Sequence, residues 1–430
     1  MTRTIRLGML GMGTVGGSLA ELIADQREAL AERTGFELVI TRAAVRDLSK
    51  TRPVPADVLT TDTAAVAVAD DVDIVIELIG GIDEAREHVL AALGAGKHVV
   101  TGNKALLAAH GAELFTAAAA SGVELLFEAS VAGGIPLMRA LEHSLQGEPI
   151  ERVMGILNGT TNYILSQMTE LGADYGDALA EAQRLGYAEA DPTADVEGHD
   201  AAAKAAIIAT VSFRSEVTSA DVPVEGISQI TAGDIETATR LGYVIKLLAV
   251  IERLVDADEV EIAARVHPVM VHQDHPLASV RDSFNAVFIE GGAVGELMLY
   301  GRGAGGNPTA SAVLGDVLAA ARSASSDAPS ALQRVPLASA RIRPLEELTS
   351  AFYMEVDVID RPGVLATVAG VFGANDVSIR SMEQHGLGDE ARLVFITHEA
   401  READVEATRA KLADLDIVRH VGSQFRVIAA

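Results

Sequence analysis

A glycine motif close to the N-terminus most strongly constrains what this 430-residue chain can fold into. TIRLGML predicts a short strand, VGGSLAELIADQREALAER predicts a helix, and GMGTVG joins them. Gly11, Gly13 and Gly16 have the G-x-G-x-x-G spacing of a dinucleotide-binding turn. Gly11 permits the tight turn, Gly13 lets the backbone approach a pyrophosphate, and Gly16 lets the helix pack closely on the strand. The strand–turn–helix context favours this function over the alternative, a glycine-rich turn without a ligand.

The rest of the first 130 residues alternates apolar strands with helices. FELVITRAAV, VDIVIELIG, KHVVTG and VELLFEAS are nearly continuous apolar runs, which is typical of a parallel sheet covered on both faces. Residues 1–130 therefore predict a Rossmann-type NAD(P)-binding domain of an α/β protein. TASAVLGDVLAAARS predicts a helix, at about 304–322, that returns to this domain.

The remainder of the chain predicts two further domains and a linker. Residues 131–303 mix helical segments with strands, which indicates a separate α+β domain. Residues 323–349 are rich in Ser, Ala and Pro without a period, which predicts a linker. Residues 350–430 follow the order strand, helix, strand, strand, helix, strand, the pattern of a small ferredoxin-like module.

The composition excludes several classes of function. The net charge of −27 repels nucleic acid and anionic membranes, and no basic tract offsets it. The chain contains no cysteine, so disulfides, thiolate metal sites and thiol nucleophiles are excluded. No run of about 18 uncharged apolar residues occurs, and no signal-peptide cleavage site follows the apolar start. We therefore expect a cytoplasmic protein with neither a nucleic-acid partner nor a membrane partner.

A basic turn follows the second predicted strand, where dinucleotide-binding enzymes contact the ribose. Arg46 stands at the strand end beside Asp47, and Lys50 and Arg52 follow. An acid at this position suits the ribose hydroxyls of NAD, whereas an arginine suits the 2′-phosphate of NADP. Arg46 as the phosphate partner favours NADP, and a solvated basic turn is the alternative.

Two lysines are candidates for a second site. Lys104 follows the strand KHVVTG, at the sheet edge where open parallel sheets bind ligands. The helix dipole disfavours a lysine at a helix start, which favours a role for Lys104 over a plain surface position. Lys204 lies four residues after Asp200 on an otherwise apolar helix. That pattern allows either an ordinary salt bridge or a lysine held in a cleft.

The stretch AEADPTADVEGHDAAAK, which ends at Lys204, concentrates carboxylates in a mostly apolar chain. It does not match a calcium-binding loop, because Val196 replaces the turn glycine. We expect Asp191, Asp195 and Glu197 to be structural or solvated.

Taken together, these segments resemble homoserine dehydrogenase, and the resemblance spans nearly the whole chain. GMGTVG, VDIVIELIGG, GKHVVTGNKALLA, FEASVAGGIP, GILNGTTNYIL, LGYAEADPTADVEGHDAAAK and YGRGAGGNPTASAVLGD occur in the order of that family. One departure is Gly102 in TGNK, where the family usually has alanine. VIDRPGVLATVAGVFGANDVSI resembles an ACT domain, a small amino-acid-sensing module.

The resemblance implies reversible, NAD(P)H-dependent reduction of L-aspartate 4-semialdehyde to L-homoserine, on the path to threonine and methionine. Lys204 and Lys104 match the family's active-site lysines. Asp200 and Glu189 match its substrate-binding carboxylates, Glu189 being the partner of the substrate ammonium. The segment NGTTN, at 158–162, is our candidate for binding the substrate carboxylate.

The resemblance also implies a cofactor set and a cation loop. It adds Thr14, Val15, Lys104, Gly186 and Gly305 to the cofactor-binding residues Gly11, Gly13, Gly16 and Arg46, which the motif and the strand end already indicate. The loop FEASVAGGI matches a site for a monovalent cation, expected to be sodium and held largely by backbone carbonyls. Its residues are Glu128, Val131, Gly133 and Ile135.

Regulation and assembly are implied in the same way. Residues 131–303 would bind substrate and form a dimer interface, and the ACT domain at 350–430 would bind threonine as a feedback effector. We expect a homodimer or homotetramer. Two alternatives are another Rossmann reductase acting on an amino-acid aldehyde or imine, and a non-catalytic sensor. A sensor has no need of proton-transfer groups, so Lys104 and Lys204 argue against it.

Overall fold

A computed structural model describes residues 2–256, 259–325, 337–386 and 388–429. Within these residues the chain forms a six-stranded sheet and an eleven-stranded sheet, with helices packed against their faces. Among the described helices, none has the length and the apolar character needed to cross a membrane.

The six-stranded sheet is wholly parallel, as the apolar runs predict. Its strands are β1 (Arg3–Leu10), β2 (Phe36–Ala44), β3 (Leu59–Thr60), β4 (Ile74–Glu77), β5 (His98–Thr101) and β6 (Leu125–Leu126). Its helices are α1 (Thr14–Asp25), α2 (Arg27–Thr34), α3 (Thr63–Val68), α4 (Asp83–Gly94) and α5 (Lys104–Ser121). The order β3-β2-β1-β4-β5-β6 changes direction between β1 and β4. A crevice therefore opens at the carboxyl ends of these two strands, which is the Rossmann-type arrangement.

The second sheet begins in the middle of the chain with antiparallel strands. They are β7 (Ile150–Ile156), β8 (Tyr243–Asp256), β9 (Glu259–His272), β10 (Phe284–Gly291) and β11 (Gly295–Arg302). The helices are α6 (Leu137–Arg139), continued by a π turn over Ala140–Ser144, α7 (Gly159–Leu171), α8 (Tyr175–Arg184), α9 (Thr193–Val196), α10 (His199–Phe213) and α11 (Ala232–Arg240). Helix α10 is apolar almost all round because it lies between β8 and β9 on one side and α5 on the other. This packing brings the helix of Lys204 against the helix of Lys104.

Helix α12 (Gly306–Ser323) returns to the first sheet and packs against α1. A Cβ atom at Gly306 would lie 2.5 Å from Oγ of Ser18, so only glycine permits this close approach. The two helices cover one face of the sheet, where Ile74 and Ile76 of β4 are buried, and Val75 packs on the opposite face. The sheet is thus covered on both faces, as a parallel sheet requires.

The C-terminal part is ferredoxin-like, as predicted. Its elements are β13 (Thr349–Ile359), α13 (Val364–Ala374), β14 (Ile379–Gly386), β15 (Glu390–Thr397), β16 (Ala400–Arg401), α14 (Glu402–Ala413) and β17 (Val418–Ile428). The last strand, β17, runs parallel to β9 and pairs Arg426 with Val269 and Ile428 with Val271. This pairing fuses the sheet of the C-terminal module with that of the middle domain, a continuity that the sequence did not predict.

Part of the predicted linker at 323–349 lies outside the described residues, at 326–336. Its last residues are ordered on the middle domain: β12 (Arg341–Ile342) pairs in parallel with β9. Arg341 and Arg343 both form ion pairs with the buried carboxylate of Glu261. The chain that leads into the C-terminal module is therefore held on β9 rather than hanging free there.

Candidate active site

The glycine turn after β1 has the geometry of a pyrophosphate-binding turn. Gly11 has a φ of +95°, and a Cβ there would lie 2.7 Å from the Leu78 carbonyl oxygen. A Cβ at Gly16 would lie 2.7 Å from the Gly11 carbonyl oxygen, so helix and turn touch. Gly13 caps α1 and has open space in front of it. The amides at the start of α1 therefore face a space that an anion can enter.

A groove of about 550 Å³ continues from this turn past the end of β2. It is lined by residues that include Gly11, Gly13, Arg46, Asp47, Lys50, Arg52, Gly80 and Glu84. Arg46 is exposed, and within the described parts of the chain its guanidinium has no hydrogen bond. Nε of Arg52 is buried without a hydrogen-bond partner there. The groove thus offers cations with unused donors at the position where a 2′-phosphate would lie.

Two lysines meet at one carboxylate between the two sheets. Lys104 is the first residue of α5, where Asn103 caps the helix through Oδ1. Its Nζ lies 2.6 Å from Oδ1 of Asp200, and Nζ of Lys204 lies 2.7 Å from Oδ2 of the same carboxylate. Nζ of Lys204 also donates to the Leu157 carbonyl at 2.6 Å.

Asp200 and Lys204 are buried, whereas Lys104 is partly exposed. The side chains of Asp200 and Lys204 are 8% and 11% exposed, whereas that of Lys104 is 45% exposed. Burial disfavours ionisation of Asp200, but the ammonium groups of Lys204 and Lys104 outweigh it and hold the pKa of this carboxyl well below its usual range. Asp200 therefore stays ionised between the two lysine side chains.

Two residues for which the sequence predicted other roles complete the cluster. Nδ2 of Asn158 donates to Oδ1 of Asp195 at 2.6 Å and to Oδ2 of Asp200 at 2.9 Å. Asp195 lies in α9 and is half-buried, whereas the sequence suggested a structural or solvated position. Burial raises the pKa of its carboxyl above the usual value. The cue in the sequence was the helix-start pattern N-G-T-T, in which an asparagine caps the following turn.

Comparison with known proteins agrees with this geometry. Sequence models match in three places: "Homoserine dehydrogenase, NAD binding domain" at residues 11–128, "Homoserine dehydrogenase" at 136–318 and "ACT domain" at 352–416. The homoserine dehydrogenase of Corynebacterium glutamicum is 50% identical over 429 residues, covering 98% of this chain and 95% of that protein. That of Bacillus subtilis is 41% identical over 430 residues, covering 99% and 98%.

The chain belongs to the homoserine dehydrogenase family. It is an NAD(P)-dependent oxidoreductase with a C-terminal ACT domain. A solved homoserine dehydrogenase from Thiobacillus denitrificans has a TM-score of 0.93 at 42% identity, and the match covers 99% of both chains. A hyperthermophilic archaeal homoserine dehydrogenase in complex with NADPH matches with a TM-score of 0.63 at 29% identity, over 74% of this chain and 98% of that one.

Other residues matched to the homoserine dehydrogenases lie on several sides of this cluster. Gly305 caps α12 with a φ of +117°, and its neighbour Gly306 abuts Thr14 at the start of α1. Val15 packs partly buried in the core beneath α1. Gly186 has a φ of +78° and is exposed just beyond the end of α8. The structure thus places Gly305 next to the contact between α12 and the start of α1.

Glu189 is exposed on the loop between α8 and α9, residues 185–192. We call it the substrate loop because it holds the predicted substrate-binding glutamate. Its backbone carbonyl accepts a hydrogen bond from Gln183, while its carboxylate has no hydrogen bond within the described parts of the chain. In the NGTTN segment, Nδ2 of Asn162 donates to the carbonyls of Asp282 and Phe284 at 2.9 and 3.1 Å. Since Asn158 is also engaged, the asparagine side chains of this segment are structural rather than free for a substrate carboxylate.

The loop matched to a cation site is buried and strained. Ala132 and Gly133 have φ values of +56° and +51°. The carboxylate of Glu128 accepts hydrogen bonds from the backbone of Met138 at 2.8 Å and from the backbone and Nε of Arg139 at 3.0 and 2.8 Å. Its oxygens are thus already satisfied by N–H donors. Any cation here would rely on backbone carbonyls, as the resemblance implies.

Proposed function

We propose that this enzyme interconverts L-aspartate 4-semialdehyde and L-homoserine, with Lys204 and Lys104 as its catalytic residues. The observation that carries the proposal is the carboxylate of Asp200, which holds both ammonium groups within 2.7 Å of its oxygens. Bound NAD(P)H supplies the hydride that reduces the aldehyde carbon.

The lysines provide what the chain itself must add to this reduction. As the carbon is reduced, negative charge develops on the substrate oxygen, and an ammonium group beside it stabilises that charge. Nζ of Lys204 donates the proton that turns this oxygen into the hydroxyl of homoserine. In the reverse direction the same nitrogen receives it. Lys104, half-exposed at the start of α5, provides the second positive charge.

The substrate loop supplies the remaining recognition. We assign the ammonium of the substrate to Glu189, because its carboxylate is exposed and has no hydrogen bond within the described residues. Asp200 is the second substrate-binding carboxylate and fixes the lysines. Binding the ammonium by one acid and the reacting oxygen by cations would orient the substrate along the loop.

The test is homoserine oxidation by the variant Lys204→Met, which keeps the length of the side chain and removes its charge. We expect turnover with NADP⁺ to fall by about 10³-fold or more, because both charge stabilisation and proton transfer are lost. Binding of NADPH, followed by fluorescence, should stay unchanged. The exposed Lys411 of the ACT domain, changed to Met, is the matched control and should keep full turnover. Full turnover by Lys204→Met would refute the role.

The same assay separates the alternatives. A reductase for another amino-acid aldehyde or imine would bind NADP⁺ and leave homoserine unchanged. A non-catalytic sensor would bind nucleotide and oxidise none of these substrates. Production of reduced cofactor with homoserine is the result that our proposal requires.

For the cofactor, we propose that Arg46 binds the 2′-phosphate of NADP, with Lys50 and Arg52 as neighbouring cations. The exposed guanidinium of Arg46 and the unpartnered Nε of Arg52 in the same groove support this assignment. Arg46→Ala should raise KM for NADP⁺ by about tenfold, the loss of one charge-assisted contact, and leave KM for NAD⁺ nearly unchanged. An equal change in both KM values would contradict it.

For the cation loop, we propose that backbone carbonyls of Val131, Gly133 and Ile135 hold sodium, with the charge of Glu128 nearby. Within the described residues, no N–H group donates to the carbonyls of Val131 or Gly133, so both are available to a cation. The Ile135 carbonyl accepts a hydrogen bond from the Leu137 amide at 2.8 Å and would share its second lone pair. Replacing NaCl by choline chloride at equal ionic strength should lower the midpoint of thermal unfolding. An unchanged midpoint would contradict a structural sodium site.

For regulation, we propose that threonine binds the ACT domain and inhibits the enzyme. A strap, defined as residues 223–227, connects that domain to α9, which follows the substrate loop. Glu225 pairs with Arg426 of β17 at 3.1 Å, and the amide of Ile227 donates to the Val196 carbonyl, next to Asp195, at 2.8 Å. A ligand that shifts β17 would thus act on the wall of the substrate site.

We further propose a homodimer or homotetramer and a place in threonine and methionine biosynthesis. The edge strand β11 leaves Met298 and Tyr300 exposed by 38% and 53%, an apolar surface suited to a second copy of the chain. Light scattering during chromatography should give a mass of at least twice 44.9 kDa. A monomer at micromolar concentration would contradict the assembly.

A further inference from the structure

The side chain of Asn158 connects a helix end to two carboxylates of the candidate site. It follows β7 and forms the N-cap of α7, with 5% of its surface exposed. Its Oδ1 accepts a hydrogen bond from the backbone of Thr161 at 2.9 Å. Its Nδ2 donates to Asp195 at 2.6 Å and to Asp200 at 2.9 Å. All the polar atoms of this amide are therefore in use.

Only one orientation of this amide satisfies its surroundings. A flipped side chain would place its NH₂ group against the N–H of Thr161 and its oxygen against two carboxylates. In the first contact two donors would face each other, and in the second the amide oxygen, an acceptor, would face two anions. Capping α7 thus determines which way the NH₂ group points, and it points at the anions.

The two anions need such a donor because they are close neighbours. The charge of Asp200 makes ionisation of Asp195 harder, in addition to the effect of burial. The charged groups that face them are Lys204 on α10 and Lys104 on α5, and the Thr160 hydroxyl contacts Asp195 as well. Asn158 is the neutral donor that lets both carboxylates stay ionised side by side.

We infer that Asn158 is a positioning residue for catalysis: it fixes Asp200 between the two lysines and keeps Asp195 an anion beside it. Its amide hydrogen bonds within the described residues go to the two carboxylates and to Thr161, so it acts on the lysines through Asp200. This inference rests on the proposed function, since it presumes that Lys204 and Asp200 act in homoserine oxidation.

Two variants separate this role from helix capping. Asn158→Asp and Asn158→Ser both keep an oxygen that can cap α7. The aspartate replaces the amide NH₂ group by a third negative charge. The serine removes the NH₂ group without adding charge, and its shorter hydroxyl cannot donate to both carboxylates. If Asn158 serves only as a cap, both variants keep the kcat and the pH profile of the wild type.

We expect kcat for homoserine oxidation to fall on the order of 10²-fold in Asn158→Asp, because Asp200 loses its fixed place. The acid limb of kcat/KM should move to higher pH, by about one unit or more. A third anion favours the protonated forms of the groups around it, among them Lys204, which must accept the substrate proton in this direction. Asn158→Ser should shift the limb in the same direction by less. KM for NADP⁺ should stay unchanged in both.

The inference requires the acid limb of kcat/KM to lie at the highest pH in Asn158→Asp, at an intermediate pH in Asn158→Ser and at the lowest pH in the wild type. An unmoved acid limb in both variants would overturn the inference, even where kcat falls. If Asn158→Asp does not fold, as judged from its thermal unfolding, Asn158→Ser alone carries the test. Failure of the underlying function would be seen separately, as full turnover by Lys204→Met.

Discussion

Among the single residues of the candidate site, Asp200 binds the amines of both Lys104 and Lys204. Asp200 is nearly buried, yet its ionised form is favoured because Lys104 and Lys204 each lie within hydrogen-bonding distance of one of its oxygens. A lysine held in this way keeps its nitrogen in one place without a rigid side chain. The positions of both amines are thus set by Asp200 and, through it, by Asn158.

The variant Asp200→Asn tests this dependence. The amide has the same shape but lacks the charge, and one of its two polar groups would point a donor at an ammonium. We expect kcat to fall on the order of 10²-fold, with NADPH binding unchanged. The measurement is the initial rate of homoserine oxidation at saturating cofactor. A rate within twofold of the wild type would show that the lysines do not need the carboxylate.

A second residue governs how stability depends on pH. Glu142 lies buried in the π turn after α6, and burial, with the charges of Asp316 and Glu128 nearby, raises the pKa of its carboxyl to about 8. In the unfolded chain a glutamate has a pKa of about 4.3. The folded state therefore binds a proton that the unfolded state releases between these values. Its contribution to stability is complete below about pH 4 and is lost as the pH rises towards 8.

Glu142→Gln should remove this dependence, because glutamine stays neutral at every pH. As the pH rises from 5 to 8, we expect the unfolding temperature of the wild type to decrease relative to that of the variant. The difference in the free energy of unfolding at pH 8 should reach a few kcal/mol. Calorimetry at both pH values provides the measurement. Parallel curves for the two proteins would mean that Glu142 is not protonated in the fold.

The sequence predicted these residues unevenly. The pair Asp200 and Lys204 follows from helical spacing, because residues four apart share one face. The convergence of Lys104 does not, since nothing local links α5 to α10, and only the family resemblance suggested it. Asn158 was predicted as a substrate-carboxylate ligand and Asp195 as loop structure. Their hydrogen bond was missed because it joins the start of α7 to α9, a contact that depends on how the middle domain packs.

Among the secondary-structure elements, three helix starts build the candidate site. The N-terminal ends of α5 and α10 contribute Lys104 and Asp200, and the start of α7 contributes Asn158. The strap at 223–227 braces α9 from outside. Gly226 in the strap lies so close to α9 that a Cβ there would be 2.6 Å from the Val196 carbonyl oxygen. The contact leaves no room for any side chain.

Gly226→Ala should therefore displace α9 and its Asp195. We expect KM for homoserine to rise and kcat to fall, each by about tenfold, with KM for NADP⁺ unchanged. The matched control is Gly233→Ala in α11, where the nearest atom to a new Cβ is 3.6 Å away, at Thr231. Alanine there should leave the kinetics unchanged and stabilise the helix by about 0.5–1 kcal/mol. Unchanged kinetics in Gly226→Ala would show that the strap does not brace the site.

The elements of the first domain were the most predictable. Apolar runs such as VDIVIELIG sit between helices and form buried parallel strands because both of their faces are covered. The pairing of β17 with β9 could not be read from the sequence. The two strands are far apart in the chain, and their contact consists of backbone hydrogen bonds that do not depend on side-chain identity.

At the scale of the whole molecule, the ACT domain is part of one continuous sheet rather than an appendage. Tyr353 of β13 and Phe425 of β17 are buried in the same core as residues of α7 and α10. Deleting residues 350–430 would expose this core and confound any test of regulation. Point variants at the contacts between the domains are therefore the sharper tools.

Glu225→Gln removes the ion pair that links the strap to Arg426 of β17. We expect the concentration of threonine that gives half-maximal inhibition to rise several-fold, because the coupling between the two sites weakens. Turnover without threonine should stay near the wild-type value. Glu383→Gln, which breaks the ion pair between the ACT domain and Arg240 of α11, is the control. Equal inhibition of wild type and Glu225→Gln would exclude the strap as the connection.

We propose that Lys104 of α5 and Lys204 of α10 act together on one oxygen of the substrate. A crystal structure of the enzyme with NADP⁺ and homoserine tests it most directly, through the distances from Nζ of Lys104 and Nζ of Lys204 to the substrate hydroxyl. We expect both distances to be about 3 Å, which is within hydrogen-bonding reach. A hydroxyl more than about 5 Å from both nitrogens would contradict it.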